Sequence, residues 1–214
     1  MTLHYLTLET SSRPKNLVIF QHGYGADAKD LLSIGDEWGK KLKDTQFVSL
    51  QAPAPCEMGG PGFQWFSLSN WSNEAMVTGA ESVRQQLQDS WKELIEKIGV
   101  TAERTVIVGF SQGTMMALYA AFNQSELKLG GVLGYSGAWL EDVRQPLLEA
   151  PEIPVCLIHG EADGVVPVQA SVQSAQRLDQ LGVPVQLLTI PYLAHGIDMQ
   201  GIDTGLAFLK KCFA

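Results

Sequence analysis

Ser111 stands in Gly109-Phe110-Ser111-Gln112-Gly113, between the apolar β-formers Val106-Ile107-Val108 and a helix-forming run that begins at Thr114. A serine hydroxyl is a poor nucleophile at neutral pH. It needs a base within hydrogen-bond reach and a third group to orient that base. The Gly-x-Ser-x-Gly spacing suits this chemistry because a sharp strand-to-helix turn lifts the hydroxyl above the carboxyl edge of a sheet. Glycines are required where backbone must pass close to backbone. The helix starts beside the serine, so its free N–H groups and positive dipole end favour an anion forming there. The pentapeptide alone is a weak signal; set between a strand and a helix it is a strong one.

The base must be one of four histidines, His4, His22, His159 or His195. In the elbow arrangement the chain order is serine, acid, base, which excludes His4 and His22. His159 leaves only the acids before it, and its place at a strand end suits support of the adjoining turn. His195, on the loop after the last strand and beside Gly196, is the expected base. Acids between serine and base are Asp142, Asp163, Asp179 and glutamates 126, 141, 149, 152 and 161. Asp179 falls on the outer face of a helix. Asp163 lies just past a buried strand in a Gly-bounded turn and is preferred, with Asp142 as competitor and Glu161 third.

Acyl transfer places negative charge on the carbonyl oxygen, and one preorganised N–H donor there is worth about 2.7–4 kcal/mol in a well-studied protease. The Gln112 amide, next after the nucleophile, supplies one donor. The Tyr24 amide, in the strand-exit loop His22-Gly23-Tyr24-Gly25, is the natural second.

These residues need a scaffold that brings strand ends together. Apolar runs at Asn16 to Gln21, Phe47 to Leu50, Thr105 to Val108, Gly130 to Tyr135, Ile153 to Ile158 and Val185 to Ile190 are expected strands, and Leu3 to Glu9 an edge strand. Helical stripes follow at Leu31-Ile34-Trp38-Leu42, capped by Asp27, at Glu81 to Gly99, after the elbow, from Pro167 to Gly182, and at Leu206-Leu209-Phe213. Strand and helix alternate throughout. The expected fold is α/β, a mainly parallel sheet covered by helices on both faces, with ligands bound outside the carboxyl ends of the strands. The connection from Gln51 to Asn73 is long and carries Phe63, Trp65, Phe66 and Trp71; such loops are often functional. The aromatics either shape an apolar pocket or pin the loop to the core.

With 214 residues, 45% of them hydrophobic, the chain can bury one good core. A net charge of −8 argues against a nucleic-acid partner and against tight docking on anionic lipid. The three cysteines, Cys56, Cys156 and Cys212, form neither a disulfide framework nor a metal-ligand pattern. Residues 1 to 9 show no signal-peptide character, and no apolar run is long enough to cross a bilayer. A cytoplasmic protein without stable membrane insertion is expected.

Taken together, Gln21-His22-Gly23-Tyr24-Gly25, Ala52-Pro53, Gly62-Phe63-Gln64-Trp65-Phe66, Gly109-Phe110-Ser111-Gln112-Gly113, the run from His159 to Pro167 and His195-Gly196-Ile197 resemble one family. It is that of the small α/β-hydrolases that include bacterial carboxylesterases, lysophospholipases and acyl-protein thioesterases. The resemblance spans nearly the whole chain and implies a single α/β-hydrolase domain over residues 1–214 without a large lid. It implies Ser111, Asp163 and His195 as catalytic triad, the Tyr24 and Gln112 amides as oxyanion hole, and an acyl groove involving Trp65, Phe66 and Trp139. Tyr24 stands where thioesterase members often carry leucine. The expected activity is hydrolysis of carboxylic esters of short to medium acyl chains, with neither metal nor cofactor. Small acyl esters or lysophospholipids are the expected substrates. Two alternatives stand beside this: removal of S-acyl groups from lipidated proteins, and a binding module with an inactive site. Apolar surface around Trp71 and Trp139 offers a face for a homodimer.

Overall fold

The computed structural model describes residues 2–8, 10–144, 147 and 152–214. Its main sheet has seven strands: β1 (Tyr5–Leu8), β2 (Asn16–Gln21), β3 (Thr45–Leu50), β6 (Thr105–Phe110), β7 (Gly131–Tyr135), β8 (Val155–Gly160) and β9 (Val185–Ile190). They lie in the order β1-β3-β2-β6-β7-β8-β9. Only the edge strand β1 runs antiparallel; the other pairings are parallel. Strands β4 (Ala54–Pro55) and β5 (Phe63–Gln64) make a small antiparallel hairpin inside the long connection after β3.

Side chains alternate between two cores, as a sheet covered on both faces demands. Leu17, Ile19, Ile107, Val155 and Leu157 face helices α2 (Asn73–Ile98), α3 (Gln112–Phe122) and α4 (Val168–Gln180). Val18, Phe20, Val106, Val108, Cys156 and Ile158 face α1 (Leu32–Gly39) and α5 (Met199–Cys212). Every residue of α3 is buried, because this helix is clasped between the centre of the sheet and α2. Among the described residues no inserted helical layer roofs the carboxyl ends of the strands.

Several helix starts differ from the sequence reading. Asp27 does not cap α1; its carboxylate accepts the Lys29 amide at 2.8 Å in a preceding turn, and the helix begins at Leu32. Helix α2 starts eight residues before the expected Glu81, at Asn73, since the Ser72 hydroxyl accepts the Ala75 N–H at 3.3 Å and Glu74 lies in the first turn. Pro167 sits just outside α4 as its N-cap. On α4 it is Ser171 and Ser174, with Ala175 and Leu178, that are buried. The two serines hydrogen-bond to the carboxyl-edge segment at Gly137 and Trp139, so an apolar stripe alone understates that face.

Candidate active site

Ser111 links β6 to α3 with φ 53° and ψ −118°. For a residue with a Cβ this backbone is strained by about 1–3 kcal/mol, and the surroundings hold it there. The Ser111 N–H donates to the Tyr135 carbonyl at 2.9 Å, while its own carbonyl accepts the amides of Thr114 and Met115. The flanking glycines are required by close approach. A Cβ on Gly113 would lie 2.0 Å from the Gln21 carbonyl oxygen, and one on Gly109 would lie 2.4 Å from the Thr114 nitrogen. Ser111 occupies the N-cap position of α3, yet its hydroxyl makes no capping bond and stays free for other chemistry.

Asp163 and His195 meet directly. His195 Nδ1–H donates to Asp163 Oδ2 at 2.7 Å. The other carboxylate oxygen, Oδ1, accepts the Val165 and Val166 amides at 2.8 and 2.9 Å. The Asp163 carboxylate is fully shielded from solvent while the imidazole is 18% exposed. Burial pushes the Asp163 carboxyl up, but the hydrogen bonds from His195, Val165 and Val166 outweigh it and hold the group below the usual carboxylate range. With Nδ1 committed to the carboxylate, Nε2 keeps its lone pair and can accept a proton.

The imidazole packs on the ring of Phe110, the residue before Ser111, with centroids 4.9 Å apart. Ser111 Oγ itself is not hydrogen-bonded to His195 in this conformation; in ligand-free sites such bonds are often long and tighten when substrate binds. The loop after β2 completes the constellation. A Cβ on Gly23 would sit 3.0 Å from the Phe110 ring and 3.5 Å from Ser111 Cβ, so the Tyr24 amide follows directly on the serine's neighbour. Gln112 opens α3, where its N–H has no intrahelical acceptor.

The competing acids are elsewhere engaged. Asp142 is clamped by Arg144 through the guanidinium and the amide at 2.9 to 3.1 Å, which lowers its pKa. Glu161 accepts the Thr189 hydroxyl at 2.8 Å. His22 is fully buried; Nδ1–H donates to the Gly23 carbonyl at 2.7 Å and Nε2 accepts the Ala52 amide at 3.1 Å. Burial lowers its pKa, keeping it a neutral brace for the Tyr24 loop.

The aromatic residues expected at an acyl groove are largely buried. Trp65, Phe66 and Trp139 are only 1%, 4% and 8% exposed, because their rings fill the core and leave little surface for a ligand. Trp65 donates its indole N–H to the His22 carbonyl at 2.9 Å. The Gln112 side chain ties down the same loop, accepting the Trp65 amide at 2.9 Å and donating to the Phe66 carbonyl at 2.8 Å. Of the face offered for a homodimer, Trp71 is exposed and Trp139 is buried. Sequence reasoning did not find the groove beside the site. An open cavity of about 270 Å³ is lined by Asp30, Leu31, Ser33, Ile34, Phe110, Ile197 and Ile202. Leu31 and Ile34 had read only as a helix stripe; the signal lay in Ile197, two residues past His195.

A mostly parallel sheet carrying a strained serine at a strand-to-helix turn, with an Asp–His pair at the same edge, places the molecule among the α/β-hydrolases. Residues 4–213 match the phospholipase/carboxylesterase family, and the chain belongs to it; it is a hydrolase. It is 30% identical to acyl-protein thioesterase 1 of Gibberella zeae, over 96% of this chain and 94% of that protein. Esterase YpfH of Escherichia coli is 24% identical over 97% of this chain and 87% of that protein. The crystal structure of esterase PE8 matches with a TM-score of 0.90 at 33% identity, covering 99% of this chain and 100% of that one. No helix among the described residues is long and apolar enough to cross a membrane.

Proposed function

We propose that Ser111, His195 and Asp163 act as a catalytic triad that hydrolyses carboxylic esters of short to medium acyl chains through an acyl-enzyme, residues 1–214 working as one domain. The observation that carries this reading is the 2.7 Å bond from His195 Nδ1 to a buried Asp163 carboxylate, on an imidazole packed at a tilt against the ring of the residue preceding Ser111. His195 Nε2 takes the Ser111 proton as Oγ attacks the carbonyl carbon, then returns that proton to the departing alkoxide. Water, deprotonated by the same nitrogen, releases the acid and restores the serine. The Tyr24 and Gln112 amides stabilise the oxyanion, helped by the dipole of α3. No step calls for a metal or cofactor. The groove bounded by Leu31, Ile34, Phe110 and Ile197 receives an apolar part of the substrate; it is open and of modest volume, which favours small acyl esters or lysophospholipids.

The 30% identity to a protein named acyl-protein thioesterase 1 supports a second reading, removal of S-acyl groups from lipidated proteins by the same triad. Ser111→Ala should abolish p-nitrophenyl acetate turnover and labelling by a fluorophosphonate probe, with the fold intact by circular dichroism. Turnover near that of the parent overturns the proposal. A panel varying chain length, ester against thioester, separates the two readings: faster release from a palmitoylated peptide than from a short ester favours the second.

A further inference from the structure

His159 is the last side chain of β8 before Gly160 and is completely buried, an expensive place for an imidazole unless its nitrogens are used. Its Nε2 lies 2.8 Å from the Val166 carbonyl and 3.1 Å from Asp163 Oδ2. Both neighbours are acceptors, so Nε2 must carry a hydrogen; a lone pair there would face two oxygens. Nδ1 lies 2.7 Å from the Ser171 hydroxyl, which is itself 2.7 Å from the Gly137 carbonyl. The ring is thus gripped from α4 on one side and from the Asp163 turn on the other. The Val166 peptide matters twice. Its carbonyl is held by His159, and its N–H holds Asp163 Oδ1.

We propose that His159 is a positioning residue for hydrolysis, locking the Val166 peptide that anchors Asp163 Oδ1 and setting its ring edge beside Oδ2, so that Oδ2 stays aimed at His195. This rests on the triad reading above. His159 touches no reacting atom. It restricts the carboxylate from both oxygens: through Val166 on one, and by the Nε2 edge of the ring packed 3.1 Å from the other. A carboxylate free to swing would leave His195 without its orienting acceptor, and small misplacements of catalytic groups are costly in rate.

The test exploits the two isosteres of histidine. Glutamine can place an N–H near the Nε2 position, facing Val166 and Asp163, whereas asparagine reaches only the Nδ1 position and Ser171. His159→Gln should keep kcat for p-nitrophenyl acetate within about tenfold of the parent, while His159→Asn falls by about 10- to 100-fold more with KM little changed, as expected for losing a hydrogen bond that acts on a charged group. Melting temperatures identify variants that fold. Equal losses in both variants, or a better asparagine, overturn the proposal and indicate a purely structural histidine. Nitrogen-15 NMR of the unsubstituted protein gives a second reading that needs no variant: His159 must show a protonated Nε2, and an unprotonated Nε2 refutes the assignment. If Ser111→Ala and His195→Ala both retain turnover, the triad itself fails, an outcome separate from the glutamine–asparagine contrast.

Discussion

Replacing Asp163 by asparagine changes one atom and should disable the site through proton placement. The new amide has two orientations. With its oxygen toward the turn, it keeps the bonds from the Val165 and Val166 amides, now at 2.8 and 2.9 Å to the carboxylate, and directs its NH2 at His195 Nδ1. With the amide flipped, NH2 confronts two N–H donors and both bonds are lost. Each bond to a charged acceptor is worth about 1.5–3 kcal/mol, and even half of that for the neutral amide favours the first orientation strongly. Nδ1 must then accept rather than donate, so the His195 proton moves to Nε2. That nitrogen can no longer take a proton from Ser111. A loss in kcat on the order of 10⁴ is expected, the size seen for the corresponding change in a serine protease. Steady-state hydrolysis of p-nitrophenyl acetate measures the rate, and nitrogen-15 NMR of His195 measures the tautomer. An asparagine variant within tenfold of the parent, or one whose Nδ1 remains protonated, would refute the reasoning.

Two further outcomes follow from the elbow and from the buried carboxylate. Gly113→Ala forces a Cβ to within 2.0 Å of the Gln21 carbonyl oxygen, so the backbone must separate; a melting temperature lower by at least about 6 °C is expected, corresponding to about 2 kcal/mol or more in a chain of this size. Gly164→Ala, with open space at its Cβ and an ordinary φ, serves as control and should melt near the parent; if the two alanine variants melt alike, the close-approach account is wrong. The Asp163 carboxyl is held below its usual range in the fold, so its contribution to stability is present above the unfolded pKa of about 3.9 and is lost as pH falls through the folded value. Urea titrations should therefore show the parent losing more stability than Asp163→Asn between pH 5 and pH 3, narrowing the gap between them. A gap constant across that range would exclude the linkage.

The amino-acid sequence by itself determined the alternation of strand and helix, the elbow around Ser111 and the order in which Ser111, Asp163 and His195 follow along the chain. These are local facts: apolar runs of strand length, glycines where backbones cross, and a histidine after the last strand. Tertiary structure decided what depends on contacts between distant segments. Asp163 and Asp142 are both acids at strand ends, and only packing shows Arg144 engaging one and His195 the other. Trp65 and Phe66 were aromatic residues on a glycine-rich loop, equally suited to a pocket wall or a core pin. The Gln112 side chain and the His22 carbonyl, 47 and 43 residues away from Trp65, draw the loop inward. The same holds for His159: a strand-end histidine in the sequence, it meets Ser171 of α4 and the Val166 carbonyl only in the fold. Periodicity reports which face of an element is apolar, whereas hydrogen-bond partners across the fold are set by three-dimensional proximity, which spacing along the chain does not encode.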